Sequence, residues 1–526
     1  MSAAAPPGFA IARVGRSAAL ITMAVAFGQV FGIGRELFVA NQVGIAPQLD
    51  ALLVALVVPT MFSGLLVSGT AAALLPAYAA IERHAGQAAA RGFSGAVLTW
   101  TGLISIVAAI VVVSVGSAIV PVTGPGLSLE AREAGTRFLS IVAPIIVFGS
   151  MAGLVTALCQ IAGRFGPIAL ASVVGPLTSM LVTIAGWPAF GLTALALGTT
   201  AGLLATLLVL FGGALRLGLL PAPTLRVRRH GVGFVRHALP LWASSMTLQM
   251  NVLVDRAVSS ILAVGAVSAL RFGEGIIRIP LTSIGPAGGM VLYPSLVREA
   301  QADSRESLGR AAVTSFRYVF SIFVPISVAT AAMAPLIVDV AYRRGAFGAE
   351  AAGATTGVAA ALAPMIVVTM VEAIVVGAHN AQRRGTLLFL AGVANVAIHL
   401  VLNLAFGLTF GVAGVALSTS VTMALVLGFL TMRLARTEPA FDLGDVAGSG
   451  IRAVAASMVP GVPIAAWVWV VYRPGSFLEN LVLLVGLTIA GFVTYLVMAS
   501  RFGLGEPAIV LRTLRRHLRL PSRSAA

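Results

Sequence analysis

The sequence predicts an all-α polytopic membrane protein of about fourteen transmembrane helices, arranged as two pseudo-symmetric six-helix lobes followed by two more helices. Three observations lead there. The chain of 526 residues is 58% hydrophobic and only 10% charged, with a mean hydropathy of +1.00, far from an ordinary soluble domain. Apolar windows of about 20 residues, the length that crosses a bilayer, recur from end to end. An arginine inside such a window appears twice in the same frame: Arg35, Gly44 and Pro59 are matched by Arg256, Gly265 and Pro280, each 221 positions later.

The first segment covers 17–40 and carries Arg35 and Glu36 late in the run. Before them, Arg13, Arg16, Ala18–Ala26 and the A-x-A at Ala24–Ala26 imitate a signal peptide. Cleavage there leaves the segment too short to span, so an uncleaved first helix is expected. Segment two (50–80) opens on Asp50 and contains Pro59; three (92–120), four (137–160), five (166–187) and six (191–215) complete the first lobe, 1–216. The arginine-rich linker 217–236 starts stiffly at Pro221-Ala222-Pro223. Segment seven (237–262) holds Gln249, Asn251, Asp255 and Arg256. Segment eight (268–296) holds Arg271, Glu274, Arg278 and the small-residue run Gly285–Gly289. Nine (313–341), ten (355–378), eleven (385–406) and twelve (410–432) finish the second lobe, 237–432. The remainder, 433–526, has a polar linker to Ser449, segments thirteen (453–472) and fourteen (478–499), and a basic tail. Its stretch Pro507–Arg519 is expected to lie on the inner leaflet.

All 34 basic residues are arginines. With the N-terminus cytoplasmic, inner loops, tails and adjoining segment ends collect 25 of them and the outer ones five. That bias places both termini in the cytoplasm. The net charge of +16 is then mostly topological, with anionic membrane lipids as partners and nucleic acid not expected. The lone Cys159 excludes an internal disulfide and a cysteine metal cluster. No GxxxxGK[ST], GxSxG or HExxH pattern occurs, so no ATPase, hydrolase or metalloprotease is indicated. Catalytic residues, metals and cofactors are not expected.

Duplicated halves facing each other across a cavity are a common build for carriers. An ionisable group at bilayer depth costs about 2.5–3.5 kcal/mol and is a functional candidate by default. Arg35, Glu36, Asp50, Asp255, Arg256, Arg271, Glu274 and Arg278 all fall in the outer half of the membrane, on paired hairpins. Arg271, Glu274 and Arg278 lie at i, i+3 and i+7 and share a helix face. Glu274 cannot neutralise both arginines, and a spare guanidinium suits a phosphate; the alternative is a salt-bridge network that only locks helices. A headgroup cavity lined by Arg35, Asp50, Arg256, Arg271, Glu274 and Arg278 is therefore expected. Glu372 and His379 in segment ten are candidates for proton or cation coupling, or for a structural pair. His399 and Asn403 read as interhelical hydrogen-bond partners. Gly44, Pro59, Gly265 and Pro280 are the expected hinges.

The stretch from Phe27 to Tyr78 resembles the opening hairpin of the MurJ/MviN family of lipid II flippases, within the multidrug/oligosaccharidyl-lipid/polysaccharide exporter superfamily. The matching pieces are Gly32-Ile33-Gly34-Arg35-Glu36, Gly44, Asp50-Ala51, Pro59, Gly69 and Leu75-Pro76. Segments seven and eight resemble its second hairpin through Gly265-Ala266-Val267-Ser268-Ala269, Glu274, Pro280 and Leu292-Tyr293-Pro294-Ser295-Leu296. The resemblance implies export of an undecaprenyl-pyrophosphate-linked sugar across a bacterial cytoplasmic membrane for wall synthesis, with wall-synthesis proteins as partners. It also implies a cationic headgroup cavity and a lipid-tail groove beside the last two helices. This chain departs from the pattern: Gln29, Ser63, Gly64 and Ser68 stand where the family has charged residues, and Glu274-Gly275 replaces an Asp-Arg pair. Another lipid-linked glycan is the alternative substrate. An ion-coupled drug or cation antiporter using Asp50, Glu274 or Glu372, and a non-transporting scaffold, are the other classes.

Overall fold

The computed structural model describes residues 7–226, 231–282, 305–382 and 384–505. The run Gly285–Gly289, the Leu292–Leu296 motif and the tail Pro507–Arg519 lie outside them. All regular structure among the described residues is helical. The helices are α1 (Pro7–Val43), α2 (Pro47–Ser114), α3 (Gly116–Thr123), α4 (Leu129–Val142), α5 (Ile145–Ile161), α6 (Gly166–Phe190), α7 (Thr193–Arg216) and α8 (Gly231–Leu262). α9 covers 266–282. There follow α10 (Arg305–Ala332), α11 (Ala334–Ala341), α12 (Ala349–Leu362), α13 (Met365–Ala381), α14 (Gly385–Ala435), α15 (Leu443–Ala466) and α16 (Phe477–Arg501). Ten runs among the described residues are long and apolar enough to cross a membrane. This is a multi-pass membrane protein.

Prolines and glycines divide the runs where backbone chemistry demands. Windows four and nine read as single spans, yet each is two helices. Pro144 separates α4 from α5, and Met333 separates α10 from α11. Window ten is likewise divided, at Pro364. Proline has no N–H for the helical ladder and its ring clashes with the preceding turn. Both prolines follow an alanine, 220 positions apart. Gly191 (φ 52°, ψ −130°) and Gly411 (φ 63°, ψ −148°), also 220 apart, turn the chain identically. An added Cβ would meet nothing at either glycine; the left-handed backbone alone selects glycine there. The order α3, α4, α5 with a proline break and a glycine-turned pair therefore recurs as α11, α12, α13 and the two arms of α14.

By compactness the chain forms two units, Met1–Ser268 with Arg344–Phe347, and Ala269–Arg343 with Gly348–Ala526. The first has a core of Leu74, Tyr78, Phe93, Leu154 and Leu158 between α2 and α5. Val155, Cys159, Ala171 and Leu210 join α5 to α6 and α7. In the second unit Val324, Ala453, Ala456, Tyr495 and Leu496 join α10, α15 and α16. α8 falls in the first unit because it packs along α2, whereas the repeat pairs it with α1. Packing and duplication divide the chain at different points.

Candidate functional site

In the first unit the two hairpin turns carry the repeat. Gly44 (φ 61°) ends α1 and Gly265 (φ 84°) precedes α9, both in the region that favours glycine. A Cβ at Gly44 would strike the backbone of Ala346 and Phe347, and Ala346 N donates to Asn41 O at 2.8 Å. Gly126 N donates to Ser260 Oγ at 3.1 Å near the end of α8. Pro59 lies inside α2 and Pro280 inside α9.

Asp50, in the first turn of α2, is 2% exposed. Its carboxylate accepts from Gly265 N at 2.6 Å and Ser268 N at 2.7 Å, and from Ser268 Oγ. These are amide donors at the start of α9, the ones a helix cannot satisfy internally. Asp50 thus caps a helix 215 residues away, where the helix dipole favours an anion. The Arg256 guanidinium also acts on this carboxylate. Arg256 is 6% and Asp255 8% exposed.

Arg35 is half-buried. Its Nη1 donates to Ser179 Oγ at 2.5 Å and Thr199 Oγ1 at 3.2 Å, on α6 and α7. Sequence reading missed both hydroxyls; they lie 144 and 164 positions away on helices whose other serines and threonines look the same.

Three of the departures from the family pattern, Ser63, Gly64 and Ser68, lie on α2. Ser63 is buried and faces Gly149 of α5. A Cβ at Gly64 would strike the Gln249 side chain, and one at Gly69 the Trp242 indole. Ser68 Oγ meets Ser245 Oγ at 2.8 Å, and Trp242 Nε1 donates to Thr70 Oγ1 at 3.2 Å. Small side chains therefore let α2 and α8 pack closely where longer charged side chains would force them apart.

In the second unit, Arg271 and Glu274 of α9 are half-buried and Arg278 is exposed; all three are engaged in polar or electrostatic interactions. Tyr342 Oη donates to Phe272 O at 3.2 Å, fixing the same helix. Glu372 is half-buried on α13, and His379 is fully buried at the end of that helix. Asn403 pairs with His399 at 3.2 Å along α14 itself.

A cavity of about 700 Å³ opens between α10, α15 and α16, bordered by Ile322, Pro325, Met333, Gly461, Leu487 and Phe492. Four of its hydroxyls are taken up by carbonyl acceptors. Thr330, Ser457 and Thr488 each donate to a carbonyl of their own helix at 2.7 Å, and Tyr495 Oη donates to Ser321 O at 2.6 Å. An apolar surface remains, and it suits a hydrocarbon chain.

The family described as lipid II flippase MurJ matches residues 39–498. A Thermotoga maritima protein described as a probable lipid II flippase MurJ is 24% identical over 421 residues, covering 79% of this chain and 84% of that one. A Synechocystis protein of the same description is 25% identical over 482 residues, covering 84% and 87%. Among solved structures, a lipid II flippase MurJ in an inward closed conformation superposes with a TM-score of 0.76 at 18% identity, covering 92% of this chain and 98% of that one. An inward-facing multidrug resistance MATE family transporter of the MOP superfamily gives 0.65 at 14% identity, over 81% and 100%. The structural likenesses show the shared fold; with the family match spanning most of its length, the chain belongs to the MurJ family.

Proposed function

We propose that the protein is a flippase that carries an undecaprenyl-pyrophosphate-linked sugar, a lipid II-like wall precursor, from the cytoplasmic to the outer leaflet by alternating access. The family match over residues 39–498 carries this reading. The cavity beside α15 and α16 supports it, since a polyprenyl tail needs an apolar recess within the bilayer. Arg35, Arg256, Arg271 and Arg278 are the headgroup cations of this reading. Glu274 orients its neighbours on α9, and Asp50 acts through its cap on that helix.

Fourteen crossings fit the helix lengths. α2 has 68 residues and α14 has 51. At about 1.5 Å per residue each is long enough to cross a core of about 30 Å twice. Both break at a glycine of positive φ, Gly86 and Gly411. α8 and α9 supply the charged hairpin. The arginine bias supports cytoplasmic placement of both termini.

A second reading, another lipid-linked glycan, is favoured by Ser63, Gly64 and Ser68, which take the place of charged family residues in close-packed surroundings. Bacteria depleted of their own lipid II flippase provide the test. Expression of this chain is expected to restore lipid II to the outer face of the membrane. Correctly inserted protein without restoration overturns the lipid II reading, and rescue of a different glycan carrier establishes the second.

A further inference from the structure

His379 is fully buried in the last turn of α13, outside the headgroup and tail sites. Its Nε2 lies 3.1 Å from Leu430 O of α14. A carbonyl only accepts, so Nε2 must carry a hydrogen. Gln382, one turn on, sits beside the ring. Gln382 Nε2 donates to Glu438 Oε1 at 2.6 Å, in the turn after α14. That bond fixes the amide and leaves Oε1 as its acceptor end. Three atoms of the cluster are then buried with no hydrogen-bond partner: His379 Nδ1, Gln382 Oε1 and Glu438 Oε2. Glu438 is only 6% exposed. In neutral His379 the ring lone pair and the amide oxygen are both acceptors, so neither can satisfy the other. A proton on Nδ1 would satisfy both.

We propose that His379, Gln382 and Glu438 form a proton-binding relay. A proton from water binds His379 Nδ1, and the imidazolium donates from Nε2 to Leu430 O and from Nδ1 to Gln382 Oε1. The amide passes the polarisation to Glu438, whose negative charge balances the new positive one; no covalent bond other than N–H forms. Two cations also act on the ring, Arg384 and, from α14, Arg433, and both repel the added proton, so the balancing charge of Glu438 reaches His379 only through Gln382. α10, also packed on α13, contributes none among the described residues. With the proton bound, His379 joins the Gln382–Glu438 bond that ties α13 to the turn leading into α15, a wall of the apolar cavity. As pH rises and the proton leaves, the link from His379 to Gln382 is lost and only the Gln382–Glu438 bond remains.

The test is independent of the transported substrate. Full-length protein carrying 15N-histidine is placed in lipid nanodiscs and titrated, with His379 among the six histidines assigned by the signal lost in His379→Asn. The ring is expected to pass from the Nε2–H tautomer to the doubly protonated form between about pH 8 and pH 5. Glu438→Gln is expected to lower the midpoint by about one unit, a tenfold loss of proton affinity. Gln382→Leu, at a half-exposed position, is expected to lower it too and keeps the question answerable if Glu438→Gln does not fold. A ring that stays neutral to about pH 5, or a midpoint unmoved by both variants, overturns the relay.

Discussion

At the candidate headgroup residues of the first unit, polar side chains reach across to other helices, whereas those around the cavity of the second mostly fold back on their own. Asp50 caps α9, Arg35 grips Ser179 and Thr199, and Ser68 meets Ser245. Around the cavity, Thr330, Ser457 and Thr488 bond to carbonyls one turn back on their own helices. Hydroxyl side chains occur in both regions; what differs is the destination of their hydrogen bonds and the presence of the charged Asp50 and Arg35 in the first. A hydroxyl that crosses between helices makes a polar, specific seam. One that folds back satisfies itself and leaves a greasy wall. The first arrangement suits gripping a charged headgroup, and the second suits a hydrocarbon tail.

The sharpest break in this comparison is Asp50→Ala. It leaves the amides of Gly265 and Ser268 buried without their acceptor, and a loss of about 3–5 kcal/mol is expected, as when one partner of a buried charged network is removed. Thermal unfolding in nanodiscs measures the loss, and amide exchange at the start of α9 locates it. Exchange as slow as in the wild type shows that another group caps the helix. Next comes Arg35. Arg35→Ala is expected to abolish export with folded protein retained, while Arg35→Lys restores only part because the two-pronged donor is gone. Flipping by Arg35→Ala in proteoliposomes at the wild-type rate reduces Arg35 to a brace between α1, α6 and α7. Filling the cavity at Ala329→Phe tests the other region. Binding of a full-length polyprenyl pyrophosphate should weaken about tenfold, or about 1.4 kcal/mol, while a short-chain analogue binds as before. Equal losses for both ligands remove the tail from this cavity.

The membrane-spanning, all-helical character could be read from the chain because membrane insertion leaves few options for long apolar runs. The repeat was visible at Arg35 and Arg256, where a charge in hydrocarbon stands out. It was invisible at Pro144 and Pro364, since a proline inside an apolar run is common and only the observed break gives it meaning. The candidate site was less legible. Asp50 reads as a cavity carboxylate, yet its oxygens are taken up by backbone amides that no side-chain pattern reveals. The relay at His379 escaped for a related reason. His379 stood out in an apolar segment, but Glu438 lies in a polar linker where a carboxylate attracts no notice.

The finest test sets two serines against each other. Ser68 Oγ reaches both Gly64 O of its own helix, at 2.6 Å, and Ser245 Oγ of α8, at 2.8 Å. Ser457 Oγ reaches only Ala453 O of its own helix, at 2.7 Å. Replacing each by alanine removes the same atom from a membrane helix. Hydrogen bonds between membrane helices average about 0.6 kcal/mol, so Ser68→Ala is expected to destabilise by about that amount. A back-bonded hydroxyl slightly opposes the straight helix that holds it, so Ser457→Ala is expected to be neutral or slightly stabilising. The cavity wall stays apolar either way, and tail binding should not change. Unfolding in the same nanodiscs, with Ser245→Ala completing a double-mutant cycle, isolates the crossing bond. A coupling of zero between Ser68 and Ser245 would mean that the α2–α8 seam is held by close approach at Gly64 and Gly69 alone. Its hydroxyls would then be as self-contained as those of the cavity, and the contrast between the two regions would rest on Asp50 and Arg35.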